Sequence, residues 1–269
     1  MTVHDLGRPP WPQVAPVQFI KIAGHELEYR LLPAHQTNRP TLVFLHEGLG
    51  CIALWRDFPA RVAAATGCQT LLYSRHGHGQ SDPLPAPRAP QYLHREALVV
   101  LPELLEKLRI LRPLLIGHSD GASIALIHAG DGQWEVGGVV AMAPHVFVED
   151  FALQGIRRAV EAWNASDLRQ RLGRYHRDGD ATFRAWAGIW LSGEFRLWNI
   201  EDYLPAIRCP VLAIQGEDDE YGTMAQLEAI ARRARRVELL ELADCRHSPH
   251  RDQPQATFDA IVRFVAAIG

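Results

Sequence analysis

Gly117-His118-Ser119-Asp120-Gly121 stands directly after the apolar run Leu114-Leu115-Ile116 and directly before the helix-like Ala122-Ser123-Ile124-Ala125-Leu126. A strand that turns sharply into a helix at a serine holds that residue in a strained, exposed conformation, and glycines two positions away on either side leave room for the crossing backbones. The hydroxyl then lies at a helix N-terminus, where the free N–H of the next residue and the helix dipole favour negative charge on an attacked carbonyl oxygen. A glycine turn capped by a serine has the same letters. The pentapeptide acquires chemical meaning only if the chain also supplies a base and an acid.

Outward from this stretch, strand-like and helix-like segments alternate. Val17–Ile22 and Glu26–Leu32, split by Ala23-Gly24, read as an antiparallel hairpin, and Thr41–Leu45 as a short apolar strand. A helix over Trp55–Ala65, a strand over Gln69–Tyr73 and a helix over Tyr92–Leu108 lead to the serine, and Val136–Met142 reads as another strand. After Ala143-Pro144 the rhythm breaks. Residues 145–204 offer only helical segments, Gly155–Trp163, Ser166–Tyr175 and Asp180–Leu191, before strands return at Pro210–Gln215 and Arg236–Glu241, each followed by a helix. The expected architecture is α/β: a mostly parallel sheet with helices on both faces, a core formed by 1–144 and 205–269, and a helical cap over 145–204.

A serine hydroxyl near neutral pH needs an imidazole to take its proton and a carboxylate to hold that imidazole's tautomer. In open α/β sheets such groups lie on loops at the carboxyl ends of strands. Two such loops remain downstream: Gly216-Glu217-Asp218-Asp219-Glu220, which alone reads equally as a solvated acidic turn, and Asp244-Cys245-Arg246-His247-Ser248-Pro249-His250.

With these segments the chain resembles the α/β-hydrolase fold family over nearly its whole length. Leu45-His46-Glu47-Gly48-Leu49-Gly50 resembles the family's H-G-x-x-G oxyanion loop, and Arg75-His76-Gly77-His78-Gly79-Gln80-Ser81 its R-G-x-G-x-S loop. Cys209-Pro210-Val211-Leu212-Ala213-Ile214-Gln215-Gly216-Glu217-Asp218-Asp219 resembles the acid segment, and His247 through Pro254 the histidine segment. The resemblance implies Ser119 as nucleophile, Asp219 as orienting acid and His247 as general base, with His250 outside the chemistry; Asp218 is the reserve acid, and Glu149 or Asp150 would serve if the acid followed the preceding strand. It implies the backbone N–H groups of Gly48 and Asp120 as oxyanion donors.

Three residues depart from the family pattern. Glu47 stands where glycine is usual, Asp120 where an apolar or amide residue is usual, and Arg246 where glycine often precedes the histidine. For Asp120 two readings compete: a charge favouring the helix N-terminus, or one opposing the developing oxyanion.

The 145–204 segment carries Trp163, Trp186, Trp190 and Trp198, with Phe183, Trp186 and Trp190 at i, i+3, i+7 spacing. This stripe is either the cap's own packing face or an apolar wall of a substrate pocket above Ser119. The expected activity is therefore serine-dependent cleavage of a small, largely apolar ester, thioester or lactone through an acyl-enzyme. A carbon–carbon bond hydrolase of aromatic ring-cleavage products, or a slow-turnover ligand-binding member suggested by Glu47 and Asp120, are the alternatives.

Composition narrows the rest. The 269 residues are 47% hydrophobic with net charge −3, which excludes the basic footprint of a nucleic-acid partner or an anionic membrane surface. No apolar stretch approaches the roughly 18 residues of a membrane span and Met1–Val14 lacks a signal-peptide core, so a cytoplasmic location is expected. Cys51, Cys68, Cys209 and Cys245 lack C-x-x-C spacing, His247-Ser248-Pro249-His250 lacks the glutamate of a zinc helix, and Gly77-His78-Gly79 lacks a third glycine. Neither metal nor cofactor is expected, the partner is a small-molecule substrate, and a homo-oligomer is compatible with everything above.

Overall fold

The computed structural model describes residues 15–84 and 87–268. Eight strands form one sheet in the order β1-β2-β4-β3-β5-β6-β7-β8. They are β1 (Gln18–Ile22), β2 (His25–Leu32), β3 (Leu42–Leu45), β4 (Thr70–Tyr73), β5 (Leu114–His118), β6 (Gly138–Met142), β7 (Val211–Gly216) and β8 (Val237–Leu242). The hairpin β1–β2 and the β2–β4 pair are antiparallel, and every other pair is parallel. This bears out the expected fold.

The central strands β3 to β7 are buried along their whole length and alternate sides strictly. Val43, Leu45, Leu115, Val139 and Ala213 face one core. Leu42, Phe44, Ile116, Val140 and Leu212 face the other. A parallel strand covered on both faces is apolar at nearly every position, which is why no polar alternation marks these runs in the sequence and why polar residues such as His118 and Gln215 fall only near strand ends. The second core is closed by α1 (Phe58–Thr66) and, later in the chain, by Ala260, Ile261, Phe264 and Val265 of its last helix. The first is closed by α2 (Tyr92–Arg95), a single π-type turn over Glu96–Val100, α3 (Leu101–Lys107) and α4 (Asp120–Gly130).

Between β6 and β7 the chain forms α5 (Asp150–Ala165), α6 (Leu168–Gly173) and α7 (Gly179–Trp190), with one isolated bridge, Phe147 to Asn199, and no named strand. α8 (Ala225–Arg233), the short α9 (Pro249–Asp252) and α10 (Pro254–Ile268) complete the fold. Two expectations shift. The helix expected from Trp55 starts at Phe58, after a separate turn over Ile52–Trp55, with Pro59 in its first turn, where the missing N–H costs nothing. Pro249 likewise opens α9, since a proline that breaks a helix interior fits its first position. Among the described residues no helix is long and apolar enough to cross a membrane.

The strand order reverses beside β3: β4 lies on one side and β5 on the other. Ligands of open α/β sheets bind in the crevice at such a switch point, at the carboxyl ends of the strands. Leu45, His118, Met142 and Gly216 all end strands at that edge.

Candidate active site

β5 ends at His118, and Ser119 takes φ 53°, ψ −117° before α4 begins. A non-glycine residue at positive φ is strained, and here Ser119 N–H donating to Met142 O at 2.9 Å holds the turn. Gly121 is required by close approach: a Cβ there would strike the carbonyl of Leu45 on β3, and one on Gly117 would strike the backbone of Gly121. The elbow therefore needs both glycines to cross β3 this closely.

His247 and Asp219 reach the same point from the ends of β8 and β7. His247 Nε2 lies 3.0 Å from Ser119 Oγ, and His247 Nδ1 lies 2.8 and 2.9 Å from the two oxygens of Asp219. The carboxylate is itself fixed. Gln215 Nε2 donates to Oδ2 at 2.9 Å, and the N–H groups of Tyr221 and Gly222 donate to Oδ1 at 2.8 and 3.3 Å. Burial alone would raise the Asp219 carboxyl, but the facing His247 and the bond from Tyr221 N hold it below its ordinary value. Burial would likewise lower His247, and the Asp219 carboxylate overrides it and raises the imidazole. The pair is thus set up as carboxylate and proton-accepting imidazole.

The competing acids are engaged elsewhere. Asp218 is exposed, and Glu149 accepts from Thr223 N and Gln226 Nε2 at 3.0 and 2.8 Å, tying the start of α5 to the start of α8. Asp150 pairs with Arg196 on the surface. Arg246 pairs with Glu220 at 3.1 Å, and Glu220 accepts from His247 N at 3.2 Å, so the arginine braces the histidine loop. His250 packs against Trp55 and Phe58, away from the serine.

Glu47 and Asp120, the two odd acids, have distinct settings. Asp120 is buried and faces neither the helix N–H groups nor the cavity. Its Oδ2 accepts from Tyr92 OH at 2.9 Å and meets Arg75 Nη1 at 3.3 Å, while Tyr92 OH accepts from Trp190 Nε1 at 3.1 Å. Asp120 thus stands in the first turn of α4, as the helix-terminus reading has it, and its carboxylate is engaged in a buried ion pair. Arg75 also donates through Nη2 to Glu47 O at 2.8 Å, and His46 Nδ1 donates to the same carbonyl at 2.8 Å, its Nε2 accepting from Arg75 N at 3.0 Å. Gly50 N donates to that carbonyl as well, at 3.0 Å, and because a trans peptide points its N–H opposite its C=O, three donors on the Glu47 carbonyl orient the N–H of Gly48 the other way. Among the described residues neither Gly48 N–H nor Asp120 N–H has a protein acceptor.

These groups line a cavity of about 170 Å³ formed by Glu47, Gly48, Leu49, Ser119, His145, Ala152, Ile156, Trp186, Trp190, Tyr221 and His247. Trp186 and Trp190 belong to it, the former closing over Gly48 so tightly that no Cβ fits there. Trp163 and Trp198 do not line it. Trp163 stacks on Phe183 with centroids 4.0 Å apart and Trp198 on Phe195 at 5.3 Å, so of the helically spaced set Phe183 packs against the cap while Trp186 and Trp190 form cavity wall, a division the spacing does not carry. His145 was not singled out in the sequence; its only signal is its place just after β6. Side-chain groups that could hold a metal ion, three or more of His, Cys, Asp and Glu together, are absent among the described residues.

An open sheet whose switch point carries a strained serine, an imidazole and a carboxylate in one hydrogen-bonded line defines an α/β-hydrolase-type protein. The chain belongs to the alpha/beta hydrolase family, whose model matches residues 42–260. Solved structures of the same fold include the enol-lactonase from Burkholderia xenovorans LB400, 19% identical over 93% of this chain and 100% of that one, TM-score 0.73. A thermophilic esterase from Thermogutta terrifontis (malate bound) is 19% identical over 94% and 99%, TM-score 0.68. E-2-(acetamidomethylene)succinate hydrolase is 18% identical over 94% and 99%, TM-score 0.73. No curated protein matches the sequence.

Proposed function

We propose that the protein is a cofactor-free serine hydrolase that cleaves a small, largely apolar carboxylic ester, thioester or lactone through an acyl-enzyme. The observation that carries this reading is the continuous line from Ser119 Oγ through both ring nitrogens of His247 to Asp219. Ser119 Oγ attacks the carbonyl carbon while His247 Nε2 takes its proton. The carbonyl oxygen, now negative, accepts from the N–H groups of Asp120 and Gly48. His247 returns the proton to the leaving oxygen or sulfur, and the acyl group remains on Ser119. Water, deprotonated by His247, then releases the acid and regenerates the serine.

The residues 145–204 act in this reading as a cap whose Trp186, Trp190, Ala152 and Ile156 form the acyl wall. The cavity matches the roughly 150 Å³ of engineered apolar cavities that hold one benzene, so a single ring or a short acyl chain fits it. The neighbours of the same fold include an esterase and an enol-lactonase, consistent with acyl transfer to water.

A fluorophosphonate probe tests the reading. It is expected to label one peptide containing Ser119, and Ser119→Ala is expected to lose both labelling and turnover of short p-nitrophenyl esters. Full ester turnover by Ser119→Ala sinks the assignment. A vinylogous diketone cleaved faster than any ester would replace acyl-oxygen with carbon–carbon cleavage on the same residues.

A further inference from the structure

Of the side chains lining the cavity, His145 alone carries a polar atom, Nδ1, that is closed off from solvent and without a partner among the described residues. It is 3% exposed, stands T-shaped to Trp190 at 4.9 Å, and its ring centroid lies 5.8 Å from that of His247. Its backbone is held on both sides. Ser123 Oγ donates to His145 O at 2.6 Å, and Val146 N donates to Gln226 Oε1 at 2.7 Å. Ala143, two residues earlier, sits at φ 47°, a strained turn that swings the chain from β6 into the cavity wall. A buried polar side chain fixed this firmly and left unpaired is paired by something absent from the fold.

The two nitrogens differ. Nδ1 is closed off from solvent and has no partner, so a proton there would be a stranded donor. Nε2 is not closed off in this way and makes no hydrogen bond among the described residues, so the proton belongs on it. Burial, aided by His247, pushes this imidazole down to about 4, so the ring is neutral near pH 7 and presents a single N–H. Glu47, in the same wall, is an anion. Burial would raise it, but His118 and Arg251 beside it hold it well below the carboxylate range.

We propose that His145 Nε2–H is a specificity element that selects acyl groups carrying a neutral oxygen acceptor, such as a ketone, ether or hydroxyl oxygen, over hydrocarbon and carboxylate-bearing acyl groups of the same size. The inference rests on the cavity being the acyl pocket of the proposed hydrolase. A neutral acceptor takes the hydrogen bond from Nε2–H, a hydrocarbon leaves that N–H unpaired, and a second carboxylate meets Glu47 in a small, mostly apolar space.

Binding of unreactive probes separates this from turnover. Acetophenone and α-methylstyrene differ only by C=O against C=CH2 and fit the cavity. Calorimetry or ligand-observed NMR is expected to show the wild type binding acetophenone about tenfold or more tightly than its hydrocarbon twin, the range set by sites built to pair a substrate polar group. His145→Phe keeps the ring against Trp190 and is expected to bring the ratio to about one, whereas His145→Gln, which retains an N–H, keeps part of it. Benzoate is expected to bind more weakly than acetophenone and to gain about fivefold or more in Glu47→Gln, as like charges in a shared site repel. A wild-type ratio within about twofold, or an unchanged ratio in His145→Phe, overturns the proposal. Fluorophosphonate labelling of Ser119 is scored separately. An unlabelled protein that still discriminates loses the hydrolase reading alone, and a labelled one that does not discriminate loses the role of His145 alone.

Discussion

Tyr92→Phe deletes one oxygen and disconnects three elements. The Tyr92 hydroxyl donates to Asp120 on α4 and accepts from Trp190 on α7, and burial together with Asp120 pushes the phenol well above its ordinary value, so it keeps its proton at any working pH. Without it Asp120 retains only Arg75 at 3.3 Å, its Oδ1 already having no partner, and Trp190 Nε1 is left as a buried donor without an acceptor. A hydrogen bond to a charged group contributes about 1.5–3 kcal/mol and a stranded buried donor costs about 1–3 kcal/mol. The two losses share one atom, so the total is about 3 kcal/mol rather than their sum. At about 2–4 °C per kcal/mol for a protein of this size, Tm should fall by about 6–12 °C. Activity should fall by up to about tenfold, because the Asp120 N–H and the Trp190 wall both lose a fixed support. Urea unfolding followed by circular dichroism, with matched ester kinetics, measures both. Tyr73→Phe is the control: Tyr73 is equally buried but its hydroxyl has no partner, so its removal should cost less than about 0.5 kcal/mol. If Tyr92→Phe is no more destabilising than Tyr73→Phe, the hydrogen-bonded hub does not contribute as described.

Two further expectations test the site and the buried histidines. Asp219→Asn should keep the fold but place an amide against His247 Nδ1, favouring the tautomer that cannot take the serine proton, with a loss of about 10³–10⁴ in kcat, while the exposed Asp218→Asn stays within about twofold of wild type; equal losses in the two variants would refute the choice of acid. Stability should fall as pH drops below about 6.5. His46, His78, His145 and His250 are each held below that ordinary value, chiefly by burial, so the unfolded chain takes up protons that the fold refuses. For His145, lowered from 6.5 to about 4, the contribution present above pH 6.5 and lost by pH 4 is about 3 kcal/mol. His247, raised, has the opposite sign: its contribution is present below pH 6.5 and is lost as pH rises through its higher folded value, which one group cannot extend to offset four. Urea midpoints that stay flat from pH 8 to pH 4.5 would contradict this.

What could be read from the letters was what is local along the chain. A strand, a turn chemistry and a helix start are adjacent in sequence, so the elbow at Ser119, the loops after β7 and β8 and their order along the sheet edge were all legible before any contact was known. Which side chain meets which was not. Asp120 reads as a liability beside an oxyanion because its partners, Arg75 and Tyr92, are 45 and 28 residues away. His145 carries no motif, and its importance arises only when Trp190, His247 and the chain beyond β6 close around it. The aromatic stripe of α7 splits for the same reason: helical periodicity specifies that a face is apolar, whereas the neighbour that covers it decides whether it becomes core, as at Phe183 against Trp163, or cavity wall, as at Trp186. The family pattern and its departures thus carry different information. Matching residues meet in one hydrogen-bonded line, Ser119 to His247 to Asp219, and the residues that do not match, Glu47 and Asp120, have their meaning fixed by buried charge: one lines the cavity as an anion, and the other anchors Arg75 so that the same guanidinium holds the Glu47 carbonyl and turns the Gly48 N–H outward. Arg75 meets only the backbone carbonyl of Glu47, so Glu47→Gln leaves that bond in place, whereas Asp120→Asn leaves the buried guanidinium without its counter-charge.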